Sequence, residues 1–162
     1  MEVIRSGEYS IRRARKNEWE EAMRLAWETF LTFQTKEYSE EGIESFRDFV
    51  SDQKLKNFFL DGTYQMFLAF CHERIIGLIT LRSGCHISLL FVDKDYQRKG
   101  VGSALVEYLS DYLLYEKRID YITVDAAPSA IDFYHKIGFW DLCPIQHRQG
   151  ISYQSMKKNL NT

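Results

Sequence analysis

The stretch His86-Ile-Ser-Leu-Leu-Phe-Val-Asp-Lys-Asp-Tyr-Gln-Arg-Lys-Gly-Val-Gly-Ser-Ala104 decides the fold. Residues 87–92 are apolar apart from Ser88 and have the length of a strand, so they predict a buried strand. After the polar residues 93–96, apolar residues recur at spacings of three and four from Val101 to Tyr112, which is typical of one helix face. The stretch therefore predicts a strand, a basic loop with glycines, and a helix, in that order.

The loop between this strand and helix has the composition of an anion site. The first turn of a helix carries N–H groups without intrahelical partners, and the helix dipole makes that end positive. Gly100 and Gly102 lack a Cβ, so a phosphate could approach the backbone, and Arg98 and Lys99 add positive charge. We interpret the loop as a pyrophosphate site; the alternative is a tight turn that simply needs two glycines.

Two common phosphate loops are excluded. The P-loop requires Gly-Lys followed by Ser or Thr, and this tripeptide does not occur in the sequence. The dinucleotide fingerprint requires a small residue where this chain has Leu105.

Composition limits the class of protein. The 162 residues, with 45% hydrophobic and 27% charged residues, predict a single domain over residues 1–162. A net charge of −2 gives no reason to expect nucleic-acid binding. No apolar run approaches the roughly 20 residues that span a bilayer, and the first residues lack the apolar core of a signal peptide. We therefore expect a cytoplasmic protein without a nucleic-acid or membrane partner.

The cysteines and histidines do not predict a metal site. Three cysteines are an odd number without metal-ligand spacing, and the four histidines are not paired with them. We expect reduced thiols and no metal.

The first half of the chain predicts one strand, two helices and a hairpin. Tyr9–Arg15 alternates like an edge strand, and Asn17 is placed to cap a first helix. Ser39 is placed to cap a second helix, and Asp61-Gly62 ends the helical half. The hairpin comprises Tyr64–His72 and Arg74–Leu81; its second strand should be central, and Gly77 indicates a bulge or a close backbone approach.

The second half predicts a parallel strand pair. Tyr121–Asp125 is a buried strand reached through a helix, and this crossover implies parallel pairing with the strand at 87–92. Ser129–Lys136 then forms a short helix that Gly138 stops. A final hairpin of Phe139–Cys143 and Ile151–Lys157 is joined by a long loop over Pro144–Gly150.

Two motifs, at residues 97–102 and 133–139, together resemble the GNAT superfamily of acetyl-CoA-dependent N-acyltransferases. Gln97-Arg-Lys-Gly-Val-Gly102 fits that family's Q/R-x-x-G-x-G/A pyrophosphate motif. Phe133-Tyr-His-Lys-Ile-Gly-Phe139 fits its F-Y-x-K-x-G-F run. The resemblance implies a single-domain α/β fold (an α+β mixed sheet) of about seven strands and four helices, with a splayed central parallel strand pair.

The resemblance also implies where coenzyme A binds. Its pantetheine arm would enter between the two parallel strands and bind the first of them, and its pyrophosphate would bind the amides of Arg98 to Ser103. The implied cofactor-binding residues are Leu90, Phe91, Val92, Gln97, Arg98, Lys99, Gly100, Val101, Gly102, Ser103, Asp125 and Tyr134.

Tyr134 matches the family tyrosine that protonates the departing thiolate. A phenol suits this general acid role because its basicity is comparable with that of the thiolate. The alternative is a helix tyrosine that only packs against the cofactor.

The sequence departs from the family pattern at two positions. Asp125 stands where many members have asparagine, and Ile87 stands where many have a glutamate that acts as the base. The base is therefore not identified; His86 is a tentative candidate, and Asp125 is the other nearby one. Cys85 as an acyl-carrying nucleophile is disfavoured, because no activating base is placed beside it.

The function implied is transfer of an acetyl group from acetyl-CoA to a primary amine, by direct attack in a ternary complex (an EC 2.3.1 type reaction). We expect a small-molecule acceptor, and the resemblance allows a homodimer. A non-catalytic acyl-CoA-binding or regulatory domain is the alternative, supported by the missing glutamate. The carboxylates Glu40, Glu41 and Glu44 would suit a cationic amine, or form an ordinary solvated helix face.

Overall fold

The computed structural model describes residues 4–6, 8–148 and 150–161. Within these ranges, the strands are β1 (Ile4–Ser6), β2 (Tyr9–Arg13), β3 (Gln65–Cys71), β4 (Arg74–Arg82), β5 (His86–Val92), β6 (Tyr121–Ala126), β7 (Trp140–Asp141), β8 (Gln146–Arg148) and β9 (Ile151–Asn159). The helices are α1 (Trp19–Phe33), α2 (Glu40–Val50), α3 (Gln53–Asp61), α4 (Val101–Asp111) and α5 (Ile131–Lys136). The predicted mixed α/β fold is confirmed.

The strands form one mixed sheet in the order β1-β2-β3-β4-β5-β6-β9-β7, and β8 also pairs with β9. The β5–β6 pair is parallel and the other pairs are antiparallel, which confirms both the crossover and the β3–β4 hairpin. The strand predicted at the edge over Tyr9–Arg15 corresponds to β2, which is not at the edge because it lies between β1 and β3. The long loop predicted before β9 also contains β8, whose backbone pairs with the start of that strand.

Two clusters of buried side chains cover the two faces of the sheet. One lies beneath α4 and includes Leu105 and Leu109; the other lies beneath α1 and includes Trp19 and Phe30. Strand β4 contributes to both clusters, which confirms its central position. Among the described residues, no helix is both long and apolar enough to cross a membrane.

Gly77 marks both a bulge and a close approach, as its position in β4 predicted. The β3–β4 register shifts beside Ala69. A Cβ on Gly77 would lie 3.1 Å from Leu105 Cδ1 and 3.3 Å from the Phe91 carbonyl oxygen. The absent side chain thus lets the first turns of α4 pack directly on the sheet.

The start of α1 differs from the prediction that Asn17 caps it. A 3-10 turn at Lys16–Glu18 precedes the helix, and the Glu18 carboxylate accepts a 2.7 Å hydrogen bond from the Arg15 amide. Glu18 also forms a 2.7 Å ion pair with Arg12 of β2. This bridge between turn and sheet anchors the helix start, so no cap from Asn17 forms.

The predicted second helix is divided into α2 and α3. Ser39 caps α2 as predicted, since its hydroxyl accepts a 3.1 Å hydrogen bond from the Gly42 amide. Ser51 interrupts the helix, and Asp52 starts α3 by accepting a 2.8 Å hydrogen bond from the Lys54 amide. Gly62 ends α3 with a φ of 90°, as its position predicted.

Candidate functional site

The site begins where β5 and β6 separate. The two strands pair at His86–Thr123 and Ile87–Val124, and no pairing joins them further along the described chain. On the other side, β5 stays paired with β4 up to Val92. Because hydrogen bonds alternate along an antiparallel pair, the Leu90 and Val92 peptide groups face the gap. The predicted splay of this parallel pair is thus confirmed.

The glycine loop closes one end of this gap. Arg98 and Gly100 have φ angles of 61° and 83°, and α4 begins directly after them at Val101. The Gly100 carbonyl accepts hydrogen bonds from the Ala104 amide at 3.0 Å and from the Tyr9 hydroxyl at 3.3 Å. A Cβ on Gly102 would lie 3.4 Å from the Phe133 ring. The loop therefore presents open backbone at the positive end of a helix.

A cavity of about 580 Å³, which we call the loop cavity, joins this loop to the gap. Its predicted lining residues are Leu90, Phe91, Val92, Gln97, Arg98, Gly100, Val101, Gly102, Ser103 and Tyr134, and the others are Thr29, Phe33, Gln34, Tyr96, Ser129, Ala130 and Phe133. Of the predicted cofactor-binding residues, only Lys99 and Asp125 are not in this lining. The Lys99 ammonium instead lies 5.7 Å from the Tyr96 ring centre. The Gln97 side chain donates a hydrogen bond to the Val92 carbonyl at the edge of the gap.

A second cavity of about 490 Å³, which we call the acceptor-side cavity, shares part of its lining with the loop cavity. Tyr134 lines both cavities, although its side chain is only 4% exposed. Its ring packs edge-on against Phe133 and Phe139, with centroids 5.0 and 5.1 Å away. Burial raises the pKa of Tyr134, so the phenol is protonated at neutral pH. Tyr134 is therefore a protonated phenol that borders both cavities.

His86 and Asp125 form a hydrogen-bonded cluster at the paired end of the gap. His86 Nδ1 lies 2.8 Å from Thr123 Oγ1, and its Nε2 lies 3.4 Å from Asp125 Oδ2. Asp125 also accepts a 2.8 Å hydrogen bond from Ser155 and lies 3.9 Å from Arg82. These partners, His86 first, lower the pKa of Asp125, which is therefore ionised at neutral pH. Asp125 lines the acceptor-side cavity, whereas His86 lines neither cavity.

Ser88 is a site residue that our sequence analysis did not assign. The Leu89 amide donates to Thr80 Oγ1 at 3.0 Å, Thr80 and Tyr64 share a 2.7 Å bond, and the Tyr64 hydroxyl donates to Ser88 Oγ at 2.9 Å. Thr80 is fully buried, so its proton needs the Tyr64 oxygen as acceptor. With the Tyr64 proton directed to Ser88, the Ser88 hydroxyl can donate its own proton to another partner, and Ser88 lines the acceptor-side cavity.

Glu37 is a second residue that sequence analysis missed. Its carboxylate accepts hydrogen bonds from the Ser129 amide at 2.7 Å and from the Ser129 hydroxyl at 3.0 Å. Ser129 lines the loop cavity. Glu37 thus ties the segment between α1 and α2 to the segment that leads into α5. The separation of 92 residues along the chain left no local pattern by which to find this pair.

Comparisons with known proteins agree with this geometry. The chain resembles an uncharacterized N-acetyltransferase, YafP, of Escherichia coli (strain K12), with 36% identity over 75 residues. That match spans 46% of this chain and 45% of the relative, so less than half of the relative's length is represented.

Solved structures share the fold over nearly the whole chain. A GCN5-related N-acetyltransferase from Rhodopseudomonas palustris superposes with a TM-score of 0.81 at 21% identity, over 96% of this chain and 98% of that one. The PaiA N-acetyltransferase of Thermoplasma acidophilum, in complex with coenzyme A, has a TM-score of 0.76 at 23% identity, over 93% and 98%. A mutant of the spermidine N-acetyltransferase SpeG from Vibrio cholerae has a TM-score of 0.68 at 16% identity, over 96% and 95%.

The family assignment depends on a match to most of the chain. The family model described as an acetyltransferase (GNAT) domain matches residues 34–160, which include both motifs, the gap and Tyr134. The chain belongs to the GNAT family of acetyltransferases.

Proposed function

We propose that residues 1–162 act as one domain that transfers an acetyl group from acetyl-CoA to a small-molecule primary amine. The amine nitrogen attacks the thioester carbonyl carbon directly; a C–N bond forms, the C–S bond breaks, and no acyl-enzyme intermediate is formed. The amine loses one proton and the departing thiolate gains one, so the products are an acetamide and CoA. Holding both substrates in one site supplies much of the rate enhancement.

The observation that carries the proposal is the open edge of β5 beyond Ile87, continuous with the glycine loop. The Leu90 and Val92 peptide groups, which lack strand partners there, can pair with the amides of a pantetheine arm as an added strand would. Their N–H groups can also stabilise the oxyanion that develops on the thioester carbonyl. The diphosphate suits the backbone of residues 98–103, because Gly100 and Gly102 carry no side chain that would cover it.

Tyr134 is proposed as the general acid. Its burial raises the pKa of the phenol above that of an exposed tyrosine. The same apolar surroundings disfavour a free thiolate, so donor and acceptor shift in the same direction and the transfer stays balanced. The alternative, that Tyr134 only packs against the cofactor, predicts no selective effect of the hydroxyl on turnover.

The role of His86 as base stays a prediction. His86 lines neither cavity, so a proton would reach it through Asp125 or a bridging water. Asp125 is a weak base because its pKa is lowered, and its charge is better suited to attracting an ammonium group. Ile87 is 2% exposed and leaves no carboxylate at the position where many family members carry one.

Two measurements test the proposal. Saturating acetyl-CoA should raise the melting temperature, and CoA should be released when amines are added. Tyr134→Phe should lower turnover by about 100-fold or more, the scale of general acid catalysis, with acetyl-CoA affinity nearly unchanged. Tyr115→Phe is the matched control, because Tyr115 is 58% exposed and lines neither cavity.

The outcomes separate the alternatives. An unchanged melting temperature would contradict cofactor binding. Acetyl-CoA binding without CoA release from any amine would favour the non-catalytic acyl-CoA-binding domain. Equal loss of turnover and affinity in Tyr134→Phe, or loss of neither, would exclude the acid role.

A further inference from the structure

The acceptor-side cavity has an apolar wall built from aromatic and aliphatic side chains. Phe46 and Phe49 of α2 line it together with Leu89 and Phe91 of β5. The Phe46 ring stacks on Phe30 at 4.2 Å and meets Phe91 edge-on at 5.8 Å. Such packing holds the wall in one conformation, so the surface offered to an acceptor is preformed and apolar.

The charged groups of this cavity nearly balance. Among its described lining residues, Arg82 and Asp125 are the charged ones, and their side chains lie 3.9 Å apart. A smaller cavity of about 220 Å³ shares Tyr38 and Asp125 with it and adds Arg148. Asp125 can attract one ammonium group, whereas a second positive charge would meet Arg82 and Arg148, and the described lining residues of the two cavities include no further carboxylate.

The acidic residues of α2 do not alter this balance. Glu40, Glu41 and Glu44 do not line the acceptor-side cavity. Glu44 is exposed and faces Arg47 of its own helix at 3.7 Å. Of the two possibilities that the sequence left open, the structure therefore supports a solvated helix face for these three residues.

We infer that the acceptor is a primary amine with a single positive charge and an aromatic or otherwise apolar body, and not a polyamine. The apolar body would lie against Phe46 and Phe49, and the amine would lie toward Asp125 and the Ser88 hydroxyl. This inference deepens the proposed function and depends on it. It concerns the acceptor alone and makes no further claim about acetyl-CoA.

The experiment measures CoA release by the full chain at saturating acetyl-CoA and compares a series of amines as acceptors. We expect kcat/KM for 2-phenylethylamine and tryptamine to exceed that for spermidine by about tenfold or more, the scale of discrimination by an apolar pocket. Phe49→Ala should lower kcat/KM for 2-phenylethylamine by about tenfold and leave methylamine nearly unchanged. Phe58→Ala is the matched control, since Phe58 is 50% exposed on α3 and lines neither cavity.

Phe49 is preferred to Phe46 as the test position because Phe46 stacks within the core and its removal can disturb folding. Faster turnover of spermidine or of a lysine peptide would overturn the inference while leaving the proposed function intact. Equal activity of Phe49→Ala and Phe58→Ala on 2-phenylethylamine would also overturn it. Failure to release CoA with every amine, or to bind acetyl-CoA at all, would overturn the proposed function as well.

Discussion

Replacement of Tyr64 by phenylalanine tests the buried hydroxyl chain that orients Ser88. In the wild-type protein the Tyr64 hydroxyl accepts from Thr80 at 2.7 Å and donates to Ser88 at 2.9 Å. The substitution leaves the fully buried Thr80 donor without an acceptor, which costs about 1–3 kcal/mol. At about 2–4 °C per kcal/mol for a chain of this size, the melting temperature should fall by about 2–12 °C at neutral pH.

The same substitution has a pH dependence with a definite sign. Burial raises the pKa of Tyr64 to about 12, whereas an unfolded tyrosine ionises near 10. Above pH 10 the unfolded chain therefore binds fewer protons at this residue than the folded chain, and stability falls as pH rises. The slope is about 1.4 kcal/mol per pH unit for one proton. Because phenylalanine lacks this proton, and because the unfolded tyrosine is only half ionised at pH 10, the stability difference between wild type and Tyr64→Phe should shrink by about 1 kcal/mol between pH 10 and pH 11.

Guanidinium unfolding at pH 7, 10 and 11 measures both effects, since other titrating groups cancel between the two proteins. Tyr115→Phe, at an exposed position, should change the free energy of unfolding by less than about 0.5 kcal/mol. A stability difference that is absent at pH 7, or that stays constant up to pH 11, would refute the buried hydroxyl chain.

Four further substitutions test the glycine loop, the contact between Glu37 and Ser129, and the start of α1. Gly100→Ala should lower the free energy of unfolding by about 1–2 kcal/mol, because residue 100 has a positive φ. Gly102→Ala should raise the free energy of unfolding by up to about 1 kcal/mol, because residue 102 lies within α4. Thermal unfolding measures both changes. Glu37→Ala should raise the KM for acetyl-CoA about 3- to 10-fold in steady-state kinetics, because the wall at Ser129 loses two hydrogen bonds. The hydrogen bond with Arg12 is the main reason why the pKa of Glu18 is lowered from the usual 4.5. The free energy of unfolding should therefore decrease as the pH falls below 4.5, and it should decrease less steeply in Glu18→Gln when both proteins are unfolded at a series of acidic pH values.

The parts of the fold that could be predicted from the sequence are those coded by neighbouring residues. The strand, glycine loop and helix from His86 to Asp111 follow from one apolar pattern and two glycines. The break between α2 and α3 was missed although residues 51–54 are all polar, because a short polar stretch also fits an exposed turn of one continuous helix. The new helix starts from one side-chain hydrogen bond, which the Lys54 amide donates to Asp52. Asn17 was a chemically suitable cap, but Glu18 has a partner, Arg12, on another strand. Such partners are brought together by the sheet and leave no mark in a local window.

The candidate site, too, was predicted only in part. A β-bulge in β5 explains why Ser88 was missed. Alternation along residues 87–92 would place Ile87 and Leu89 on one face. The β4–β5 register shifts at Leu81, and Ser88 is the extra residue. Ile87 therefore packs in the cluster beneath α4, whereas Leu89 packs in the cluster beneath α1. A bulge reverses the face of every residue on one side of it, and only the strand pairing reveals its position.

The bulge also determines which chemistry the middle of β5 can offer. It turns the Ser88 hydroxyl toward Tyr64, and the hydrogen bond from Tyr64 leaves the serine proton directed away from this network. The Leu90 and Val92 peptide groups beyond the bulge face the gap instead of β6, since the parallel pairing ends at Ile87. One inserted residue thus places a side-chain donor and two backbone amides along the same open edge. Their positions depend on strand pairing. The family resemblance could therefore indicate Leu90 and Val92 from the sequence, whereas no pattern in the sequence indicated Ser88.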